Sequence, residues 1–162
     1  MTDPDCAILI ARHGPAMLLY ARQFAPSLAD AEDIVQDAFL RAFRRPPQAT
    51  DAAVHLFTCV RSVALDQLRA NRRRERRESS VAREAPLLVS PDSDRHEFRE
   101  AVEASLSRLP AEQSEVLVLK IWGGLTFEQI GAALHVPPNT AASRYRSACE
   151  LLRRLLNKEV FK

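Results

Sequence analysis

The segment that most limits how this chain can fold is 110–156, near the end of the sequence. Apolar residues recur along it at the spacing of an amphipathic helix, and the pattern is interrupted by a glycine pair at 123–124 and a proline pair at 137–138. Thr126 and Gln129 have the spacing of a capping box, in which side chains satisfy free backbone N–H groups at a helix start. The segment therefore predicts a helix, a glycine break, a second helix, a tight turn and a longer third helix.

The second and third of these helices form the pattern of a DNA-binding helix-turn-helix. The proline pair ends the second helix, because a proline ring clashes with the preceding turn and disfavours helical geometry in the residue before it. The third helix has an apolar stripe and, beside it, a polar and cationic face suited to a DNA groove. This recognition face consists of Asn139, Thr140, Ser143, Arg144 and Arg146. An ordinary helical hairpin with solvated arginines is the alternative that the segment alone leaves open.

Composition extends the helical prediction to the whole chain. Its 46% hydrophobic and 27% charged residues are typical of a folded protein rather than a disordered one. Ten prolines and only four glycines suit helices with sharp breaks, and no run of five or more residues alternates as a half-buried strand does. We therefore predict an all-α fold of one or two small domains.

Several functional classes are disfavoured by the same sequence. Cys6, Cys59 and Cys149 are widely separated and odd in number, and the four histidines are scattered, so we expect reduced thiols, no metal and no cofactor. No apolar run approaches the ~20 residues that cross a bilayer. The N-terminus carries acidic residues where a secretory signal needs basic ones. We expect a cytoplasmic protein that is not inserted in a membrane.

Positive charge is concentrated in one short stretch, although the net charge is only +2. Residues 69–77 hold six arginines and one glutamate, a charge of +5, so the remainder of the chain carries −3. Continued along a helix, this arginine ridge places Arg69, Arg72, Arg73 and Arg76 on one face. Like charges on adjacent turns repel, which a polyanion would relieve by releasing its counterions. Nucleic acid is favoured as the partner over an ordinary solvated face.

An earlier helix carries a compact acidic face. Asp30 is predicted to be its N-cap, and the acidic face consists of Glu32, Asp33, Gln36 and Asp37. The residues alone leave two interpretations open, a well-capped amphipathic helix or a surface for a basic partner protein. Acid–base catalysis is disfavoured, because nothing nearby supplies a pocket, a metal or a nucleophile.

A change of composition at 78–97 predicts a flexible linker. Serine, proline, aspartate and glutamate dominate there, and the fully extended segment would reach ~65 Å. The chain is thus expected to form two small helical domains, 1–77 and 98–162, of which the second contains the helix-turn-helix.

The order of these parts resembles bacterial RNA polymerase sigma factors of the extracytoplasmic-function (ECF) group. The resemblance covers about 7–77 and 98–156 and rests on three stretches: DAEDIVQDAFLRAF, VRSVALDQLRANRRR and LPAEQSEVLVLKIWGGLTFEQIGAALHVPPNTAASRYRSA. It implies a region 2-like first domain, which docks on the polymerase and binds and melts the proximal promoter element. It implies a region 4-like second domain, whose recognition face meets the distal element.

The resemblance also implies roles for individual positions. The polymerase-facing residues would be Asp30, Glu32, Asp33, Gln36 and Asp37. The proximal face, at the upstream edge of the melted DNA, would consist of Arg61, Ser62, Asp66, Arg69, Arg72 and Arg73. The chain departs from the residues usual in the family at His55, Ser62, Pro137, Ala141 and Ala142. The promoter sequence is therefore not implied.

The predicted function is that of a non-enzymatic sigma factor that binds core RNA polymerase and directs promoter-specific transcription initiation. Its partners would be core polymerase and promoter DNA, both duplex and melted, with an anti-sigma factor as a further candidate. The alternative is a stand-alone helix-turn-helix regulator that binds duplex DNA without the polymerase. A DNA-cutting enzyme would need a nucleophile in a strand-containing domain, and residues 1–97 show the pattern of neither.

Overall fold

A computed structural model describes residues 3–44, 51–77 and 93–160. Within these ranges the chain forms seven helices and no strand, which confirms the all-α prediction. The helices are α1 (Asp3–Arg22), α2 (Leu28–Arg44), α3 (Ala52–Arg77), α4 (Ser93–Ser107), α5 (Ala111–Ile121), α6 (Phe127–Leu134) and α7 (Pro138–Val160). The predicted linker lies outside the described residues as far as 92, whereas 93–97 are helical because α4 begins at Ser93.

Helices α1, α2 and α3 pack around one core. The buried side of α2 consists of Ala31, Ile34, Ala38 and Ala42. Three of these four residues are alanines, and small side chains let α3 approach the α2 backbone closely. Tyr20 and Phe57 are fully buried and meet edge to face, with ring centroids 5.9 Å apart.

The start of α2 corrects the predicted cap. Ser27, not Asp30, precedes the first helical residue, and its hydroxyl accepts a hydrogen bond from the Asp30 backbone N–H at 3.1 Å. The same hydroxyl donates to the Asp30 carboxylate. Asp30 therefore lies in the first turn, where its negative charge is favourable to the helix dipole.

Helices α5, α6 and α7 form the predicted helix-turn-helix and its support. Both bonds of the capping box are present, from Thr126 N–H to Gln129 Oε1 at 2.7 Å and from Gln129 N–H to Thr126 Oγ1 at 3.2 Å. Gly124 has a φ of 66°, a left-handed conformation that glycine adopts without steric cost, and it turns the chain between α5 and α6.

The turn between α6 and α7 is tighter than the proline pair alone indicates. His135 adopts a left-handed conformation with φ 57°, which ends α6 one residue after Leu134. The Pro137 carbonyl then accepts the backbone N–H groups of Thr140 and Ala141, at 2.9 and 3.1 Å. Pro138 is the first residue of α7, so the helix begins one residue earlier than the predicted opening at 139–140.

The two groups of helices lie against each other. Helix α1 contacts α5, and α3 contacts α6. Polar side chains connect them at two places on the rim: Arg22 pairs with Glu103 at 3.0 Å, and Gln129 donates to Asp51 at 2.7 Å. A third polar connection, centred on Glu115, is buried.

Candidate polymerase and nucleic-acid interfaces

The acidic face lies on the solvent side of α2, opposite the alanine-rich buried side. Glu32, Asp33, Gln36 and Asp37 are all exposed, because they alternate in helical register with the core positions of α2. Asp30 is half-buried and engaged with Ser27. The structure therefore brings four of the five predicted polymerase-facing residues together on one accessible surface, and the fifth has a structural partner.

The proximal face lies along α3 and includes a residue that the sequence did not suggest. Arg41 of α2 donates from Nη1 to Ser62 Oγ at 2.7 Å, and both terminal nitrogens lie 3.3 Å from Asp66 Oδ2. Arg69 lies on the other side of Asp66, with Nη1 3.6 Å from Oδ1. Asp66 thus holds two arginines in the surface where DNA contacts were predicted.

A groove of about 790 Å³ lies between α2 and α3 beside this cluster. It is lined by Asp37, Leu40, Arg41, Arg44, His55, Thr58, Cys59 and Ser62. Burial raises the pKa of the Cys59 thiol, and the nearby Arg41 charge only partly opposes it, so this cysteine stays protonated and unreactive. The groove combines an apolar wall with hydroxyl and guanidinium donors, which suits a flat polar ring.

The arginine ridge forms the last turns of α3. Arg69, Arg72, Arg73, Arg74 and Arg76 are exposed, and Arg77 ends the helix. The ridge continues the same helix that carries Ser62 and Asp66. The proximal face therefore changes along α3 from a pocketed, hydrogen-bonding region to a purely cationic one.

The recognition face occupies the first three turns of α7. Asn139, Ser143 and Arg146 are exposed and Thr140 is half-buried. Arg144 is held by Glu112 of α5, with 2.8 Å between Nη2 and Oε2. Ala141 is fully buried, so this departure from the family pattern lies in the core and not among the groove-facing residues.

Arg61 is the one member of the proximal face that is bonded across to the second group of helices. Its Nε donates to Glu115 Oε2 of α5 at 2.9 Å, and the Tyr20 hydroxyl donates to the same oxygen at 2.7 Å. Burial, together with the Glu115 charge and this hydrogen bond, raises the pKa of Tyr20 well above its ordinary value. Burial of Arg61 acts to lower its pKa, but the bond and charge of Glu115 outweigh it.

Two searches of the described residues complete the inventory. Among them, no group of three or more histidine, cysteine, aspartate or glutamate side chains could hold a metal ion. No helix in this part of the chain is long and apolar enough to cross a membrane.

Comparison with known proteins identifies the family. Residues 9–74 match the family described as Sigma-70 region 2, and residues 99–152 match Sigma-70, region 4. The RNA polymerase sigma factor CarQ of Myxococcus xanthus is 30% identical over 153 residues, which cover 93% of this chain and 88% of the relative. The ECF RNA polymerase sigma factor SigL of Mycobacterium tuberculosis is 29% identical over 155 residues, with the same two coverages.

The fold agrees with a solved structure of the same class. The sigma factor RpoE of Bartonella quintana, in complex with the anti-sigma factor NepR, matches with a TM-score of 0.74. The match covers 96% of this chain and 98% of that one at 24% sequence identity. A helical docking domain, a helix-turn-helix domain and these matches together define a transcription initiation factor. The chain belongs to the ECF group of RNA polymerase sigma factors, and it binds core polymerase and directs transcription from promoters.

Proposed function

We propose that three separate surfaces divide the work of this sigma factor. The acidic face of α2 binds core RNA polymerase, the proximal face of α3 binds and melts the proximal promoter element, and the recognition face of α7 binds the distal element as duplex. Residues 1–77 carry the first two surfaces and residues 98–162 the third. The observation that carries the proposal is that the exposed residues of each predicted set fall on one surface of one helix.

Melted DNA would enter the groove between α2 and α3. An unpaired base that leaves the stack needs a pocket with hydrogen-bond donors and an apolar wall, and this groove provides Arg41, Thr58 and Ser62 as donors beside Leu40. The arginine ridge would hold the phosphates that follow. Arg41 is therefore added to the proximal face as the residue that orients Ser62 and Asp66.

The protein carries no catalytic chemistry of its own in this proposal, because the polymerase performs nucleotide transfer. It acts where core polymerase is found, in the cytoplasm. An anti-sigma factor is a further partner, and the support is that the Bartonella quintana RpoE, whose fold this chain shares, was solved in complex with one. Such a partner should suppress promoter-specific transcription when it is added in equimolar amount.

The first experiment tests the acidic face. Run-off transcription is measured with purified core polymerase on a library of candidate promoters, with and without the protein. The double variant Asp33→Arg, Asp37→Arg should lose polymerase binding at least tenfold, because it reverses two exposed charges toward a basic partner. Glu150→Arg, which reverses an exposed charge on α7, is the matched control and should bind normally.

Circular dichroism of both variants separates lost binding from lost folding. Unchanged polymerase binding by the double variant would refute the docking role of α2. Tight duplex binding without polymerase, combined with no promoter-specific transcript on any promoter, would favour the stand-alone regulator instead.

A further inference from the structure

Glu115 is a carboxylate buried between the two groups of helices. It is 7% exposed, and its Oε2 accepts from both the Tyr20 hydroxyl and Arg61 Nε. Both donors belong to the first group, whereas Glu115 belongs to α5 of the second. A buried carboxylate is costly unless it is paired and hydrogen-bonded. The charge on Glu115 is therefore accommodated only while the two groups are docked.

The rest of the interface is polar and imperfectly packed. The Arg22–Glu103 pair lies on its rim, and a cavity of about 770 Å³ lies beside Leu19, Leu68 and Leu106. The side-chain amide of Gln23 borders this cavity, and its two polar atoms find no hydrogen-bond partner among the described residues. Interfaces of this kind between domains open readily, in contrast to large apolar ones.

Docking covers part of the surface assigned to melted DNA. A gap of about 240 Å³ separates α3 from the end of α6. Its α3 side is formed by Thr58, Arg61, Ser62, Leu65, Asp66 and Arg69, and its α6 side by Ala133 and His135. The helix-turn-helix therefore stands directly over the proximal face. A nucleic-acid strand that follows this face would meet α6 and the loop after it.

We propose that the proximal face is an intramolecular docking surface for the helix-turn-helix domain of the same chain, on which Glu115 takes the place of a DNA phosphate at Arg61. Docking and promoter binding then exclude each other, because one guanidinium cannot serve both anions. This exclusion rests on the proposed role of Arg61 in DNA binding. Docking itself does not rest on it.

The consequence for affinity follows from population. If the docked form dominates in the free protein, the apparent affinity for promoter DNA is reduced by the undocked fraction. A change that weakens docking without touching the DNA-contacting residues should therefore strengthen binding. Glu115 meets this condition, since it lies on α5, outside all three proposed surfaces.

The chain contains its own probe of docking. Trp122 is the single tryptophan, and it borders a groove of about 430 Å³ shared with Leu9, Arg12 and Asp51 of the first group. Undocking should shift its emission to longer wavelength. X-ray scattering gives an independent measure, because a docked chain of this length has a radius of gyration of about 15 Å.

Glu115→Gln is the principal variant, since it removes the charge and keeps the shape. We expect a larger radius of gyration, red-shifted Trp122 emission and unchanged helix content, while the exposed Glu150→Gln behaves like the parent. Glu115→Arg should open the chain further, and the double exchange Glu115→Arg, Arg61→Glu should restore docking. The exchange distinguishes a specific charge pair from general misfolding. Parent-like scattering and emission for both Glu115 variants would overturn the proposal.

Exclusion is tested with the full chain bound to core polymerase. Glu115→Gln should increase the affinity of the free factor for core polymerase and fork-junction promoter DNA by about tenfold, the loss of a hydrogen bond to a charged group. An opened chain with unchanged DNA affinity would overturn exclusion while leaving docking in place. Failure of the parent to support any promoter-specific transcript would instead count against the proposed function, and scattering would still decide docking.

Discussion

Arg41 illustrates how a single residue can connect two helices and a function. Its guanidinium lies across Ser62 and Asp66 on the surface of the first domain, at about half exposure. Exposed ion pairs of this type contribute about 0–1 kcal/mol to stability. The position of Arg41 is therefore explained better by what it presents to DNA than by what it adds to the fold.

Arg41→Ala should accordingly impair promoter melting with little loss of stability. Ser62 and Asp66 would lose their common partner, and the groove would lose a donor at its edge. We expect the free energy of unfolding to change by less than about 1 kcal/mol, while the yield of unpaired promoter bases, measured by permanganate reactivity, falls severalfold. Arg154→Ala, at an exposed ion pair on α7, is the control. Normal melting by Arg41→Ala would remove Arg41 from the proximal face.

His13 makes stability depend on pH. It is buried against Phe57, with ring centroids 6.2 Å apart, and burial together with the neighbouring Arg12 charge lowers its pKa, while Asp51 acts in the opposite direction. Below its ordinary pKa of 6.5, the unfolded chain binds a proton that the folded chain resists. The stability contributed by His13 is therefore present above that pH and is lost as the pH falls.

Replacing His13 by glutamine should flatten this dependence. Urea unfolding of the parent at pH 5.0 and 7.5 should show the larger difference, and His13→Gln the smaller one, even if the variant is less stable overall. Equal differences in the two proteins would mean that other groups cause the acid sensitivity.

At the scale of elements, the helix-turn-helix depends on a close contact that requires glycine. A Cβ on Gly131 of α6 would lie 2.6 Å from the carbonyl oxygen of Val136, which is backbone and cannot move aside without shifting the turn. Gly131→Ala should therefore destabilise the second domain by about 1–3 kcal/mol. The recognition face would lose its orientation together with the turn.

Gly14→Ala is a matched control within α1. Its nearest foreign atom is Ile10 Cγ2 at 3.9 Å, an ordinary contact, and alanine is favoured over glycine in a helix by about 1 kcal/mol. Thermal unfolding should thus move in opposite directions for the two alanine variants. A Gly131→Ala protein as stable as the parent would show that the turn can relax.

The same elements show what the sequence could and could not predict. The capping box of α6 was predictable because Thr126 and Gln129 are three residues apart and their bonds are local. The start of α2 was missed, since Ser27 and Asp30 are both good caps and the choice depends on how Leu28 packs. The Tyr20–Glu115 bond spans 95 residues, and a periodic pattern identifies a buried face without naming its partner.

At the scale of the whole molecule, two DNA-binding surfaces lie in the two halves of one chain. The recognition face reads duplex bases from α7, whereas the proximal face combines a groove with a row of arginines on α3. Contacts to bases depend on sequence, and contacts to phosphates depend on salt. The two surfaces should therefore be separable in one set of binding measurements with the polymerase-bound protein.

Arg144→Ala should weaken binding only on promoters that contain the distal element, by about 1–3 kcal/mol, because it removes a candidate base contact. Arg72→Ala with Arg73→Ala should weaken binding to all sequences and reduce the slope of log affinity against log salt by about 2, roughly one unit per lost phosphate contact. Promoter competition assays over a range of salt concentrations measure both effects. If Arg144→Ala changed the salt slope alone, or the double variant changed sequence preference alone, the roles of the two surfaces would have to be exchanged.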